Sequence, residues 1–414
     1  MSGNKKTLSQ LSPEAENTMQ NLRQWAGYQL KEVILPFWMK YMPDDAQGGF
    51  KGLINNDLSD DPGAPKGLIL NARILWAFSA VFNHEGSEAH LALAKRAADY
   101  INKFFFDPEF GGYYWMLDSS GKMKQGKKQI YAQAFVIYAF TEYFVATQDN
   151  EYLEKAKTIF NLIEKYAFDK KRNGYLEAFD RNWQPVDDLR LSDKDMNEAK
   201  TMNTHLHVLE AYTSLYRVWP DTLLKEKTRN LIDVFLQYFV RKDDYHFELF
   251  FDENWNSKSN EISYGHDIEG SWLLHEAAEV LKDEKRLAEV GKVSVRMAEA
   301  GLKGLNQDGG LDHETQRGVP SNGQTEWWAQ AEAIVGCINA FQLTSDEYFL
   351  NASEGLKNFI EKYFVDHHSG EWYFRLDPDR KPILSYEKAG FWKCPYHNSR
   401  MCLEINRRIS LIHL

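Results

Sequence analysis

KFFFDPEFGGYYWMLDSSGK (103–122) and KYAFDKKRNGYLEAFDRNWQP (165–185) are two copies of one phrase. Each begins where an amphipathic helix runs out in aromatics, turns at Asp, Asn or Gly, and continues as short aromatic alternation. Working outward, the phrase returns as KYMPDDAQGGFKGLI (40–54), QYFVRKDDYHFELFFDENWN (237–256), AGLKGLNQDGGLDHET (300–315) and KYFVDHHSGEWYFRLDPDRKP (362–382). Its spacing of roughly 60 to 70 residues is too long for the common solenoid units of about 20 to 50. Asp-Gly, Gly-Gly, Asn-Gly and Ser-Gly beside alternating aromatics predict short β-hairpins.

A polar-faced helix pattern precedes the phrase, as at 90–105, 151–168, 221–240, 283–302 and 346–364, with Lys, Glu and Arg at helical spacing. A more apolar helix follows it, at 71–82, 131–145, 203–218, 269–281, 330–343 and 397–409. Helices with a charged face belong on the solvent side, and helices apolar all round belong inside. Six of each in alternation, without polar end caps, predict a closed double ring: an all-α (α/α)6 barrel with short β-hairpins between inner and outer helices. No Ser/Gly/Pro-rich linker interrupts the pattern, so a single domain over 1–414 is expected.

The composition narrows the function. A formal charge of −11 over 414 residues argues against nucleic acid, which needs clustered Lys and Arg. Residues 1–14 are polar and carry no apolar secretory segment, and no apolar run is long enough to span a bilayer. Three cysteines without regular spacing, Cys337, Cys394 and Cys402, fit reduced thiols and a cytoplasmic protein better than a disulfide framework or structural zinc. The expected partner is a small molecule, and the chain a monomer or homodimer.

Polar residues recur where the chain enters the inner helices: Asn71 and Arg73; Tyr131 and Gln133; Asn203, His205 and His207; His266, Asp267 and Glu269; Trp327, Trp328, Gln330 and Glu332; Trp392, Tyr396, His397 and Arg400. In a closed ring these starts share one mouth, so such groups are expected to converge on a pocket lined by aromatics. Taken singly, any of them could be a helix cap, a satisfied core polar group or a core aromatic. Helical geometry puts Asn203 and His207 on one face and turns His205 about 200° away from His207, so both cannot reach the lumen. His266 and Glu269 are three apart, so the carboxylate is expected to hold one ring nitrogen and fix the tautomer. His-x-His with His-x-x-Glu could also be a metal site, but a motif of the His-Glu-x-x-His kind is missing, and no metal is expected. Neither a nucleotide-binding glycine motif nor a nucleophile elbow is present.

The phrases NARILWAFSAVF, QIYAQAFVIYA, SDKDMNEAKTMNTHLHVLEAY, SYGHDIEGSWLLHEA, EWWAQAEA and KAGFWKCPYHNSRMC resemble the cellobiose 2-epimerase family, within the N-acylglucosamine 2-epimerase superfamily. The resemblance runs from about residue 71 to 402. It implies sugar epimerisation at C2 without a cofactor, with His266 and His397 as the catalytic pair. It also implies substrate contacts from Arg73, Tyr131, Asp195, Asn203, His207, Glu269, Trp328 and Trp392, the Trp327–Trp328 doublet leaving a one-residue ambiguity.

The chemistry suits those residue types. Removing the proton α to an aldehyde and returning one to the other face takes two bases, and imidazole exchanges protons near neutrality. The enediolate between the two steps needs a cation and hydrogen-bond donors, for which Arg73, Tyr131 and His207 are the candidates. The implied substrate is a glucose- or mannose-configured reducing end, most simply of a β-1,4 disaccharide such as cellobiose. Free mannose or glucose is a second possibility, and proton return to C1 would give a ketose. A glycoside hydrolase on the same barrel would work with paired carboxylates such as Asp195, Asp267 and Glu269, yet would leave the histidines idle. A non-catalytic sugar-binding module would leave His266 and His397 idle as well.

Overall fold

The computed structural model describes residues 11–412; most of the N-terminal stretch read above as lacking a secretory segment, residues 1–10, lies outside the described residues. Helix α1 starts at Pro13 behind the Ser12 cap, runs Pro13–Tyr28, passes through a π-helical stretch at Gln29–Ile34 and ends as Leu35–Tyr41. Eleven further helices alternate: α2 Leu68–Glu85, α3 Glu88–Tyr100, α4 Ile130–Thr147, α5 Asn150–Tyr166, α6 Met202–Val218, α7 Thr222–Val234, α8 Tyr264–Leu281, α9 Glu284–Gly301, α10 Trp327–Thr344, α11 Glu347–Phe359 and α12 Tyr396–Ile412. Among the described residues no helix is long and apolar enough to cross a membrane.

The even-numbered helices form the inner ring. They pack in succession from α2 to α12, and α12 returns to α2. In α2 every residue from Leu68 to Val81 is buried, whereas α5 buries only the stripe Tyr152, Leu153, Ala156, Ile159, Phe160 and Ile163. That 3–4 spacing turns its charged residues outward. Each of α2 to α10 on the inner ring packs on the outer helix that follows it; α12 packs on α1. The sixth outer helix is therefore the N-terminal one, and it closes the ring. Asp149, Asp221, Asp283 and Asp346 cap outer helices by accepting backbone N–H bonds, each such cap contributing about 1 kcal/mol.

The expected short hairpins are present: 116–117 pairs antiparallel with 123–125 around the Ser120–Gly121 turn, and single bridges such as Phe106↔Tyr113 and Phe168↔Tyr175 close others. The strand leading into an inner helix pairs in addition with the following repeat, which the sequence did not show: 66–67 with 116–117, 128–129 with 178–179, 200–201 with 250–251, 261–263 with 314–316 and 325–326 with 375–376, all antiparallel. Asp107 and Asp169 each accept two backbone N–H groups of their own loop, closing an Asx-type turn rather than a two-residue hairpin. The same carboxylates receive buried lysines of the next entering strand, Lys128 to Asp107 and Lys200 to Asp169, both at 2.9 Å. These pairs fasten each entry strand to its own turn and so set where the inner helix begins.

Candidate active site

Five of the six inner helices present a polar residue near their start that faces the phrase turn, not the lumen. Gln133 accepts from the Tyr113 N–H and donates to its carbonyl; Gln330 does the same for Leu311. His205 accepts from the Tyr175 N–H through Nε2, Asp267 accepts from the Phe247 N–H, and Asn398 donates to the Glu371 carboxylate that holds the Trp372 N–H. Asn71 sits at the corresponding point of α2 and donates to the Gly67 carbonyl. Contact is close enough that a Cβ on Gly174 would lie 2.9 Å from His205 Nε2 and 2.5 Å from the Trp255 ring. Part of the expected convergence is thus a set of locks. Gln133, His205, Asp267 and Gln330 do not line the cavity.

Two residues further along each helix lie Arg73, Phe135, His207, Glu269, Glu332 and Arg400, about 200° around, on the lumen side. Arg73, His207 and Glu269 of this set border a cavity of about 420 Å3 at the mouth of the inner ring. All ten sequence-selected site residues border it: Arg73, Tyr131, Asp195, Asn203, His207, His266, Glu269, Trp328, Trp392 and His397. Such a volume suits a small organic ligand.

The two candidate bases bear on one indole. The centroid of Trp328 lies 4.6 Å from the His266 ring and 5.6 Å from the His397 ring. Trp327 also borders the cavity, but packs on Phe374 at 4.7 Å and meets His397 at 6.1 Å. His397 Nδ1 lies 2.7 Å from Glu332 Oε1. A carboxylate only accepts, so the proton sits on Nδ1 and the Nε2 lone pair is left free. His266 Nδ1 meets the Ser263 hydroxyl at 2.8 Å. Burial pushes His266 down to about 3 and His397 well below the usual imidazole value, with the positive charges of Arg73 and Arg400 adding to the effect on His397. Both shifts favour the neutral ring in the empty site, the form in which an imidazole can accept a proton.

Beneath them Arg400 gathers three carboxylates. It donates to Glu269 at 2.8 Å and to Glu332 at 2.7 Å and pairs with Glu210, which also binds His207 Nδ1 at 2.9 Å. Burial and the neighbouring Glu332 charge push the Glu269 carboxyl up, with Arg400 acting against them; its Oε2 has no protein partner. Arg73 donates to the Tyr131 hydroxyl at 2.6 Å and lies 4.3 Å from the Phe135 ring and 4.9 Å from the Tyr396 ring. Burial and the Arg73 cation act oppositely on Tyr131, and burial prevails, raising the phenol. Arg73 and Tyr131 together form a cation and donor at one end of the cavity.

Several sequence expectations need correction. Glu269 does not hold His266: it turns to Arg400, whose charge outcompetes a neutral ring three residues away, and Ser263 takes the His266 nitrogen. Of the two candidate bases, the one that a carboxylate orients is His397, and that carboxylate is Glu332. Asp195 borders the cavity from the loop at 187–198 with one oxygen committed to the Ser192 N–H and hydroxyl. Glu269, Glu332 and His397 lie close enough for a metal ion. Arg400 bridges the two carboxylates there and Glu332 holds the imidazole Nδ1. Glu210, Ser263 and Glu326 were missed by the sequence reading. Glu210 follows His207 at i+3, a signal that was present; the other two needed the tertiary fold.

Comparison with known proteins agrees with this geometry. The family model described as N-acylglucosamine 2-epimerase matches residues 48–400. A cellobiose 2-epimerase of Bacteroides fragilis is 47% identical over 385 residues, covering 93% of this chain and 98% of that protein. The solved structure of a cellobiose 2-epimerase from Bacillus thermoamylovorans superposes with a TM-score of 0.90 at 41% identity, covering 94% of this chain and all of that one. A family 76 α-mannanase of Bacteroides thetaiotaomicron, 15% identical, superposes with a TM-score of 0.65 over 96% of this chain and 99% of that one. It shares the barrel alone.

Proposed function

The chain belongs to the N-acylglucosamine 2-epimerase family and, within it, to the cellobiose 2-epimerases, and from that premise we propose how it works and on what. It is a carbohydrate epimerase. The proposed reaction interconverts glucose and mannose configuration at the reducing end of a β-1,4 disaccharide such as cellobiose, with His266 and His397 as the two bases. The observation that carries this reading is that both neutral imidazoles border one cavity and bear on the same Trp328 indole.

Mechanistically, the sugar first opens to its aldehyde, which makes the C2 hydrogen acidic. One imidazole accepts that proton at Nε2 while the C2–H electron pair moves into an enediolate. The other imidazole, having taken an Nε2 proton from solvent as the developing enediolate charge favours its cationic form, delivers that proton to the opposite face of C2. The carbonyl re-forms, and the first imidazolium returns its proton to solvent, so one proton is taken and one given per turnover. No bond changes oxidation state overall, so the residues need no redox partner. Charge developing on O1 faces the Arg73–Tyr131 pair with His207 beside it, and donors so placed contribute about 10²- to 10³-fold in rate each. The enediolate charge also favours the imidazolium forms, offsetting the burial that depresses both histidines. Glu269 presents its unpartnered Oε2 from the same wall, Asn203 and Asp195 contact sugar hydroxyls, and Trp392 offers a flat apolar face. Three unpaired cysteines, all buried, support a cytoplasmic setting, and the absence of a linker supports action as a single domain.

Incubation with cellobiose, lactose, glucose and mannose in heavy water, followed by NMR at C2, tests the proposal. Deuterium uptake at C2 with formation of the mannose-configured disaccharide, and slower turnover of the monosaccharides, is expected. Ketose as the main product would move the proton return to C1. Glucose released from cellobiose would mean hydrolysis, and no change in any sugar would leave only binding.

A further inference from the structure

Trp328 is the side chain on which both candidate bases rest, so whatever fixes its indole fixes their spacing. The strand at Thr325–Glu326 enters α10 paired with Arg375–Leu376, and Glu326 stands directly opposite Arg375. Opposed residues in an antiparallel pair project on one face of the sheet, and here they form an ion pair through Glu326 Oε1. The other oxygen, Oε2, accepts the Trp328 Nε1–H at 2.7 Å. His313 flanks the same group: its Nε2 is 3.6 Å from Oε2, and its ring meets Trp328 edge-on at 5.7 Å. Glu326 is only 6% exposed. Glu326 borders the cavity, and its two oxygens are already engaged, one by Arg375 and the other by Trp328.

We propose that Glu326 is a positioning residue for proton transfer, holding the Trp328 indole plane and through it the separation of His266 and His397 across C2. The proposal rests on the two-base reading above. The chain of cause runs from strand register to ion pair, from ion pair to a charge-assisted hydrogen bond on the indole, and from the indole to both imidazoles. Without that acceptor the indole keeps its apolar contacts but loses the one directional bond that sets its tilt. A misplacement of about 1 Å between reacting groups costs on the order of 10²-fold in rate, whereas sugar contacts away from Trp328 are untouched. The effect falls mainly on kcat, with a smaller change in KM through the indole's own contact with the sugar.

The test uses the full chain with cellobiose in heavy water, together with NMR of the protein labelled with 15N-tryptophan. Glu326→Ala is expected to slow C2 exchange by roughly 10- to 100-fold with KM little changed, and Glu326→Gln, which keeps an acceptor, to recover most of the loss. The Trp328 indole signal, assigned by its disappearance in Trp328→Phe, is expected to shift in Glu326→Ala. In the Trp328→Phe background, where no N–H remains to be held, Glu326→Ala is expected to add little further loss. Exchange as fast as wild type in Glu326→Ala, an unmoved indole signal, or an undiminished additional loss in the Trp328→Phe background would each overturn the proposal. A wild-type enzyme that fails to exchange C2 would instead defeat the two-base reading, and the indole signal would still decide whether Glu326 holds Trp328.

Discussion

His205 and His207 are two residues apart on α6 and face opposite ways. His205 turns to the phrase turn, where Tyr175 and the Thr201 carbonyl take both ring nitrogens; His207 turns to the lumen beside Tyr131, with Glu210 on its Nδ1. The same division runs around the barrel. One ring of polar side chains (Gln133, His205, Asp267, Gln330) locks the turns, and a second ring, Arg73, His207, Glu269, Glu332 and Arg400, supports the cavity. Residue type does not separate them, since histidine, carboxylate and amide serve the locks as well as the site. Register does: a rotation of about 200° converts a structural group into a functional one.

Substitutions on the two rings should therefore fail in different ways. On the lumen side, His266→Ala and His397→Asn are expected to abolish C2 deuterium uptake, a loss of at least about 10²- to 10⁴-fold, with melting temperatures near wild type. Glu332→Gln should come next. It leaves His397 in place but removes the charge that fixes its tautomer, and loss of the equivalent carboxylate in a hydrolase triad costs up to about 10⁴-fold; a kcat within a few-fold of wild type would disconnect Glu332 from the chemistry.

On the lock side the currency changes from rate to stability. His205→Ala strands the Tyr175 N–H and the Thr201 carbonyl, a loss of about 1–3 kcal/mol for a buried group left unpaired, read from denaturant unfolding, while kcat per folded molecule stays near wild type. His205→Gln should recover most of that stability, because glutamine performs the same task at Gln133 and Gln330.

The smallest effect is on pH dependence. Burial holds His205 and His266 at about 3 in the folded protein, against about 6.5 unfolded. Between those values the unfolded chain binds more protons, so stability is full above pH 6.5 and falls as pH drops toward 3. The melting temperature is expected to decline from pH 7 to pH 5, and His205→Gln to flatten part of that decline; an unchanged slope would remove His205 from the list of contributors.

How much of this was legible before the fold is itself uneven. Inner helices read at 131–145 and 203–218 appear as Ile130–Thr147 and Met202–Val218, because a helix buried on every side writes its apolar character along the chain. The pairing of the strands that enter the inner helices was not legible. Strands of two or three residues carry no register signal, and these partners lie a whole repeat away. Among site residues, the ten that border the cavity were found because family motifs and helix starts mark them. The partner of His397 was not found, because Glu332 reaches it from α10 to α12. His266 with Glu269 shows the opposite error: correct spacing on one helix suggested a contact that Arg400, arriving from α12, takes away.

The most direct test of the two-base geometry is a crystal structure with a reduced, open-chain disaccharide such as cellobiitol in the cavity. C2 is expected between the rings, with His266 Nε2 approaching one face and His397 Nε2 the other. C2 lying within reach of only one imidazole, or both rings meeting the same face, would contradict it.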